Sequence, residues 1–371
     1  MLFNYRRKIM PKTKKTVIFT KRFWIIFIIL CVCVVAKCFY SCHWPLANNS
    51  SAVFAPQDTE EPYEVDLVYL WCDGNEPQFK ERKNYWLARE KNEPAPQATA
   101  AGRFEQVDEL KYSLRSVEQY LPWIHHIYII TDRQVPPWLN TAHPQLTVVD
   151  HSQIIPSQYI PVFNSNAIET SVYKIPGLAE HFLLANDDTF VNRPLTRSFF
   201  FEKGKPWVRV TSNNLFDATS LYRIQLLNAI ELTEQAFNAE IPLLSQRNWG
   251  PHHNIDSYLK SDYAACAQHF KKQYEQTLTH RFRQADDVQR FIVSIWAVMK
   301  GHAQVRIVFP FETNTDSLVI VNREEKYADI LARFRPGLFC LNDGELSTVE
   351  DRMRVKAFLQ KYFPNKSKFE L

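Results

Sequence analysis

From residue 64 onward, short apolar runs alternate with longer amphipathic ones. “VDLVYLW” (65–71), “HIYIIT” (126–131), “LTVVD” (146–150) and “HFLLA” (181–185) have the length of strands. Several are apolar enough to be buried on both faces. Between the first two, “VDELKYSLRSVEQYL” (107–121) spaces Leu110, Leu114, Val117 and Leu121 along one helical face. Further helical patterns fall near 217–231, 255–276, 285–299 and 347–362. Strands alternating with helices predict an α/β domain over residues 64–371, a mainly parallel sheet flanked by helices.

In a Rossmann-like sheet of this kind, ligands collect at the carboxyl ends of the strands. The first run ends in Asp73-Gly74, the second in Thr131-Asp132, the third in Asp150-His151 and the fourth in Asn186-Asp187-Asp188. Four successive strands thus send an acid toward one sheet edge. Aspartate is common in turns, and that plain reading stays open for Asp132 and Asp150. Asn186-Asp187-Asp188 is different, because apolar residues flank it on both sides. Adjacent carboxylates there predict a hard-cation site of oxygen ligands, for magnesium or manganese. Such an ion commonly completes its shell with substrate phosphate oxygens. The chain has neither a Walker motif nor GxGxxG, which leaves nucleotide-sugar enzymes as the candidates.

The N-terminus changes the picture of where this chemistry happens. Residues 1–22 carry eight basic residues and no acid, and read as a cytosolic tail. “FWIIFIILCVCVVAKCFY” (23–40) is apolar apart from Lys37 and reads as one transmembrane anchor. A cleaved signal peptide is the competing reading, against which stand its length and its poor cleavage site. Residues 41–63 read as a polar linker. The net charge of +4 rests on that tail, so no nucleic-acid footprint is expected. The seven cysteines form no CxxC, and signal neither a zinc site nor a disulfide framework.

“DLVYLWCDGNEP” (66–77), “RFEQVDELKYSLRSVEQYLPWIHHIYIITDRQVPPWLN” (103–140) and “FNSNAIETSVYKIPGLAEHFLLANDDTFVNRPL” (163–195) closely resemble the first two conserved regions of the Stealth family. Residues 253–288 resemble the third region and 339–370 the fourth, in family order. These are sugar-1-phosphate transferases. They include bacterial capsule and exopolysaccharide phosphotransferases and the enzyme that builds the mannose-6-phosphate tag on lysosomal hydrolases. The resemblance implies attack of an acceptor-glycan hydroxyl on the β-phosphate of a UDP-sugar, with release of UMP and formation of a phosphodiester.

The resemblance also implies roles. Asp187 and Asp188, with Asn186, match the family's metal and catalytic acid motif. The third region implies a catalytic histidine thirty residues before an arginine, which selects His253 and Arg283. The family's His-x-Pro is replaced here by Gly-Pro-His-His-Asn, so His252 stays open as the alternative. Arg283 would neutralise the transferring phosphoryl group, unless it pairs with Asp286 or Asp287 instead. Asp73 and Gly74 would shape the nucleotide pocket. Arg103, Lys111 and Arg115 lie in the second region, and the last two, four apart on a helix, could meet a diphosphate. For Lys111 a solvated charged face serves equally well. Asn342-Asp343 follows the apolar “LFCL”, placing Asn342 as a substrate contact and Asp343 as a further metal acid.

Two rivals follow from the same residues. A metal-dependent glycosyltransferase would release UDP, and a non-enzymatic carbohydrate-binding membrane protein would release nothing. Charge asymmetry puts the N-terminus in the cytosol and the domain across the membrane, whereas bacterial UDP-sugars are cytosolic. A Golgi membrane would resolve that conflict and make the sequons at Asn48, Asn49 and Asn365 usable. The compact domain favours a bacterial inner membrane.

Overall fold

A computed structural model describes residues 63–371, apart from 92–93, 213–219, 242, 247, 323, 325 and 345. The basic tail, the apolar segment 23–40 and all but the last residue of the linker lie outside the described residues. Among those described, no helix is long and apolar enough to cross a membrane.

The strands in chain order are β1 (Val65–Leu70), β2 (Ile127–Thr131), β3 (Leu146–Asp150), β4 (His181–Asn186), β5 (Thr189–Val191) and β6 (Phe201–Glu202). They continue as β7 (Lys205–Ser212), β8 (Trp249–Pro251), β9 (Asp256–Leu259), β10 (Gln304–Ile307), β11 (Ser317–Val321) and β12 (Leu338–Asn342). The central sheet runs β3-β2-β1-β4-β9. Its first four strands are parallel, and β9 joins β4 antiparallel. The expected mainly parallel sheet is therefore present, with boundaries within a residue of the apolar runs.

Both faces of that sheet are covered, which explains the near-continuous apolar runs. Leu67, Tyr69, Ile127, Ile129, Leu183 and Ala185 pack with Leu110, Leu114 and Val117 of the helix Glu109–Tyr120 and with Leu121, which follows it. The alternate positions Val68, Ile130, Val149, Phe182 and Leu184 share a second core with the helices Leu221–Phe237 and Phe291–Met299.

The segment 255–276 departs from expectation. It begins with the strand β9 and continues as two helices, Lys260–His269 and Lys271–Thr279. Its helical spacing hides four edge residues that pair with β4. Two smaller sheets complete the fold. One is built on β7, with β6, β8 and β10 as partners, and the other runs β11-β12-β5.

The topology places the site. From β1 the chain steps outward through β2 to β3, then returns across β1 to β4 on its other side. That reversal opens a crevice at the carboxyl ends of β1 and β4, where Leu70 lies in register with Asn186. Asp187 and Asp188 form the turn between β4 and β5 and so join the central sheet to the small one. The turn is held from both sides. Leu341 N donates to Asp188 O at 2.9 Å. Ser113 Oγ donates to Thr189 O at 2.6 Å, and Val191 N donates to Ser116 Oγ at 3.0 Å.

Candidate active site

At the switch point lies a cleft of about 600 Å³. Asn186, Asp187 and Asp188 line it from the end of β4, with His252 and His253 from the loop before β9. Arg283 and Arg290 come from the segment leading into the helix Phe291–Met299, and Asn342-Asp343 from the end of β12. Segments far apart in the chain thus meet in one crevice.

Asp187 accepts from Gln106 Nε2 at 2.5 Å. Burial, reinforced by the neighbouring Asp188, pushes its carboxyl up to about 7. Burial and the charge of Asp187 push the buried Glu109 up to about 8. The cluster is short of positive charge. Asp188 sharpens the point: its Oδ1 is buried without a hydrogen-bond partner. Oδ2 takes a 3.3 Å bond from Cys340 Sγ and faces His253 Nε2 at 3.7 Å. Crowded carboxylates with an orphaned oxygen are what a divalent cation relieves, and the donor set fits one.

The two histidines separate clearly. His252 is buried, and its imidazole lies beside Asn254 Nδ2. Burial, then the proximity of His253 and Arg209, pushes it down to about 4, so it is neutral near pH 7. His253 is the one that faces Asp188.

Arg283 does not pair with the nearby acids. Its guanidinium donates to Ser165 Oγ in the cleft wall. Asp287 is instead occupied by Asn164 at 2.8 Å, His280 at 2.8 Å and Gln284 N at 2.9 Å.

The sequence reading missed the residues that support this arrangement. Arg290 reaches Asp256 at 3.0 Å, and Glu169 and Asn186 at 3.3 Å each. Glu169 is buried with Oε2 unpartnered, and it lines the same cleft. One signal was available: Arg290 is a charge placed directly before “FIVSIWAVM”, which a surface helix would not need. Glu169 carries no comparable signal.

Other expectations need correction. The four strand ends do meet at the cleft, through Cys72, Ile130, His151 and Asn186, but the acids Asp73, Asp132 and Asp150 do not line it. Asp132 pairs with Arg82 at 3.0 Å. Asp150 caps a short turn, accepting from Ser152 N and Arg133 N. Asp73 accepts from Asn75 N at 2.9 Å beside the cleft, a local turn bond rather than a wall of the pocket.

Gly74 has a structural reason: a Cβ there would lie 2.5 Å from Phe104 Cβ. Arg103 lines the rim with an exposed side chain. Lys111 and Arg115 do not reach the cleft. Lys111 lies over the Trp138 ring, and Arg115 forms a two-pronged pair with Glu370 at 2.8 and 2.7 Å. Both turn away because they sit on the side of their helix that meets the C-terminal segment. Asp343 faces the cleft, but Arg352 holds its carboxylate at 2.6 Å, which weakens it as a metal ligand. Asn342 remains at the rim.

A mixed α/β fold with acids and a histidine at its switch point defines a ligand-binding cleft built for charged groups. Comparison with known proteins gives the family. Residues 103–208 match Stealth protein CR2, conserved region 2, and residues 328–371 match Stealth protein CR4, conserved region 4. A capsular polysaccharide phosphotransferase of Haemophilus influenzae is 32% identical over 332 residues, covering 81% of this chain and 88% of the relative. One from Neisseria meningitidis is 32% identical over 318 residues, covering 81% and 84%. An exopolysaccharide phosphotransferase of Mycobacterium tuberculosis is 30% identical, covering 88% of this chain and 61% of its own length. The chain thus spans about three fifths of that longer relative. This chain belongs to the Stealth family, whose members here carry the name phosphotransferase. Among solved structures, a galactosyltransferase with donor and acceptor sugar analogs aligns at 10% identity and a TM-score of 0.39, covering 82% of this chain and 96% of its own, too slight a likeness for any inference.

Proposed function

We propose that this protein transfers a sugar-1-phosphate from a UDP-sugar to a hydroxyl of an acceptor glycan, releasing UMP. The observation that carries the reading is His253 Nε2 facing Asp188 across 3.7 Å, in the cleft that also holds Arg283. His253 takes the proton of the acceptor hydroxyl. The acceptor oxygen bonds to the β-phosphorus, and the bond from that phosphorus to the bridging oxygen breaks, UMP leaving with the electron pair. Arg283, fixed by Ser165, presents its planar fork to the phosphoryl oxygens. Arg290 holds Asn186 and Glu169 in place at the end of β4. Asp187 and Asp188 would hold a magnesium or manganese ion, which when bound neutralises charge on the diphosphate.

The names of the bacterial relatives support a role in capsule or surface polysaccharide synthesis. The apolar segment 23–40 and its basic flank support a single-pass bacterial inner-membrane protein, with a Golgi membrane as the alternative. Membrane fractionation of the full chain, beside one lacking residues 23–40, tests the anchor. The chemistry is tested by offering the full chain a panel of UDP-sugars with magnesium and a glycan acceptor, then identifying the nucleotide released. UMP is expected. UDP would transfer the case to a glycosyltransferase, and tight binding without turnover to a carbohydrate-binding protein.

A further inference from the structure

Cys340 stands where the proposed chemistry has no use for a thiol. It lies on β12 opposite Thr189 of β5, one residue beyond Asp188. That pairing delivers its sulfur to the same carboxylate oxygen that His253 faces. The three ligand atoms, Asp188 Oδ2, His253 Nε2 and Cys340 Sγ, all lie within 4.8 Å of one another. Two of the separations are 3.3 Å for sulfur to oxygen and 3.7 Å for nitrogen to oxygen.

Those distances can be compared with a known polyhedron. Zinc binds cysteine sulfur, histidine nitrogen and carboxylate oxygen tetrahedrally, and the edges between such ligands come to roughly 3.4–3.6 Å. Each observed separation departs from its own edge by about 0.3 Å, sulfur to oxygen being shorter than roughly 3.6 Å and nitrogen to oxygen longer than roughly 3.4 Å, differences that small side-chain rotations close. Magnesium, by contrast, has no affinity for a thiol and demands six oxygen-type positions. Asp188 and His253 line the cleft and Cys340 stands buried behind Asp188, so this part of the cleft wall offers one geometry to a hard cation and another to a borderline-soft one.

We propose that Asp188, His253 and Cys340 form an inhibitory zinc site, three protein ligands with the fourth position open to water or a phosphate oxygen. Zinc bound there occupies the lone pair that His253 needs as a base and removes Asp188 from the magnesium site. On binding, the Cys340 thiol gives up its proton to solvent and coordinates as the thiolate. The inhibition rests on the phosphotransferase reading above, whereas the metal site itself does not.

Cobalt substitution separates the two. Cobalt(II) is titrated into the full-length wild-type chain and into full-length Cys340→Ser, and the difference spectrum is recorded. The subtraction removes any cobalt held by the N-terminal cysteines. The expected difference is a thiolate-to-cobalt charge-transfer band with the intense visible bands of a four-coordinate ion. His253→Ala should lose the visible bands' intensity. A flat difference between wild type and Cys340→Ser, with both proteins folded by their melting curves, overturns the site.

In the nucleotide-release assay, zinc should inhibit the wild type in competition with magnesium. In Cys340→Ser the zinc concentration for half-inhibition, scaled to that variant's own uninhibited rate, should rise at least about tenfold. A cobalt difference present without zinc inhibition would leave the site standing and overturn its inhibitory role. A protein with no transferase activity at all would remove the phosphotransferase reading and leave the spectra to decide the site.

Discussion

Two charged regions of this protein, an outer one where the helix Glu109–Tyr120 meets the C-terminal segment and an inner one in the cleft, differ in how fully their charges are satisfied. On the outer side, Arg115 meets Glu370 in a two-pronged pair and donates also to Phe363 O at 2.7 Å. All three of these acceptors are supplied by the C-terminal segment. On the inner side, Asp188 Oδ1, Glu169 Oε2 and His253 Nε2 are buried without hydrogen-bond partners. Glu109, at the start of the same helix, is partnered by Val107 N at 2.7 Å but adds to the crowding of negative charge through its proximity to Asp187. A saturated pair holds the fold together, whereas unsatisfied buried charge marks a place arranged for a ligand. The second-region motif contains both kinds of residue, so membership of a motif does not by itself assign a side chain to the cleft.

The largest effect should come from the unsatisfied side. Asp187→Ala and Asp188→Ala are each expected to reduce turnover below a tenth of wild type while leaving the fold intact, because neither carboxylate is part of a structural ion pair with a cation. Turnover and melting temperature measured on the same preparations check this. EDTA should silence the wild type in the same assay, and magnesium or manganese should restore it. Full activity in both variants would remove the acidic turn from the mechanism.

Next comes the histidine pair. His253→Ala is expected to lower kcat by about 10²–10⁴-fold, the usual loss for a general base, with donor KM little changed. His252→Ala should cost less than about tenfold in rate, because that ring is buried and faces Asn254 rather than Asp188. A dead His252→Ala beside an active His253→Ala would show that the register of the loop is off by one.

The arginines test the comparison most directly. Arg283→Ala should lower kcat/KM for the donor with little change in melting temperature. Arg115→Ala should do the reverse, leaving donor KM alone and destabilising the fold by about 3 kcal/mol, since Glu370 is left buried without its partner. An increase in donor KM for Arg115→Ala would return that residue to the binding site.

How much of this was legible beforehand follows from where each signal resides. The strands of the central sheet and the acidic turn after β4 are local patterns, a run of apolar residues and what ends it, so they read directly. The saturation of charges is not local. Arg115 and Glu370 are 255 positions apart, and nothing near Arg115 announces the pair. The histidine register was open for a similar reason, since only the path of β9 decides which of two adjacent rings faces β4. That strand was itself hidden inside a helical pattern, because four edge residues running into Lys260–His269 leave no alternation long enough to detect. Cys340 looked bland in sequence, and became notable only when β12 paired with β5.

The smallest expected effect is a pH dependence that only the cleft can produce. In the protein without added metal, burial and Asp188 hold the Asp187 carboxyl at about 7, above its ordinary value of 3.8. A carboxyl raised in the folded state favours folding in its protonated form. Its contribution is therefore fully present below about pH 4 and is lost as pH rises through 7. Asp187→Asn cannot ionise, so it should melt progressively higher than wild type as pH goes from 4 to 8. His252 works the other way: its imidazole, pushed down to about 4, weakens both proteins alike on the acid side and cancels in the difference. Magnesium should close the gap by stabilising wild type more than Asp187→Asn, most strongly at pH 8, where the cluster carries the most negative charge. The same substitution logic on the outer side, Glu370→Gln, should give the opposite slope. Arg115 and Ser367 hold Glu370 below its ordinary value even though burial pulls it upward, so its stabilisation appears above about pH 4.5 and fades as pH falls. Parallel slopes for the two variants would mean that the cleft and the outer pair do not differ in the way their geometry indicates.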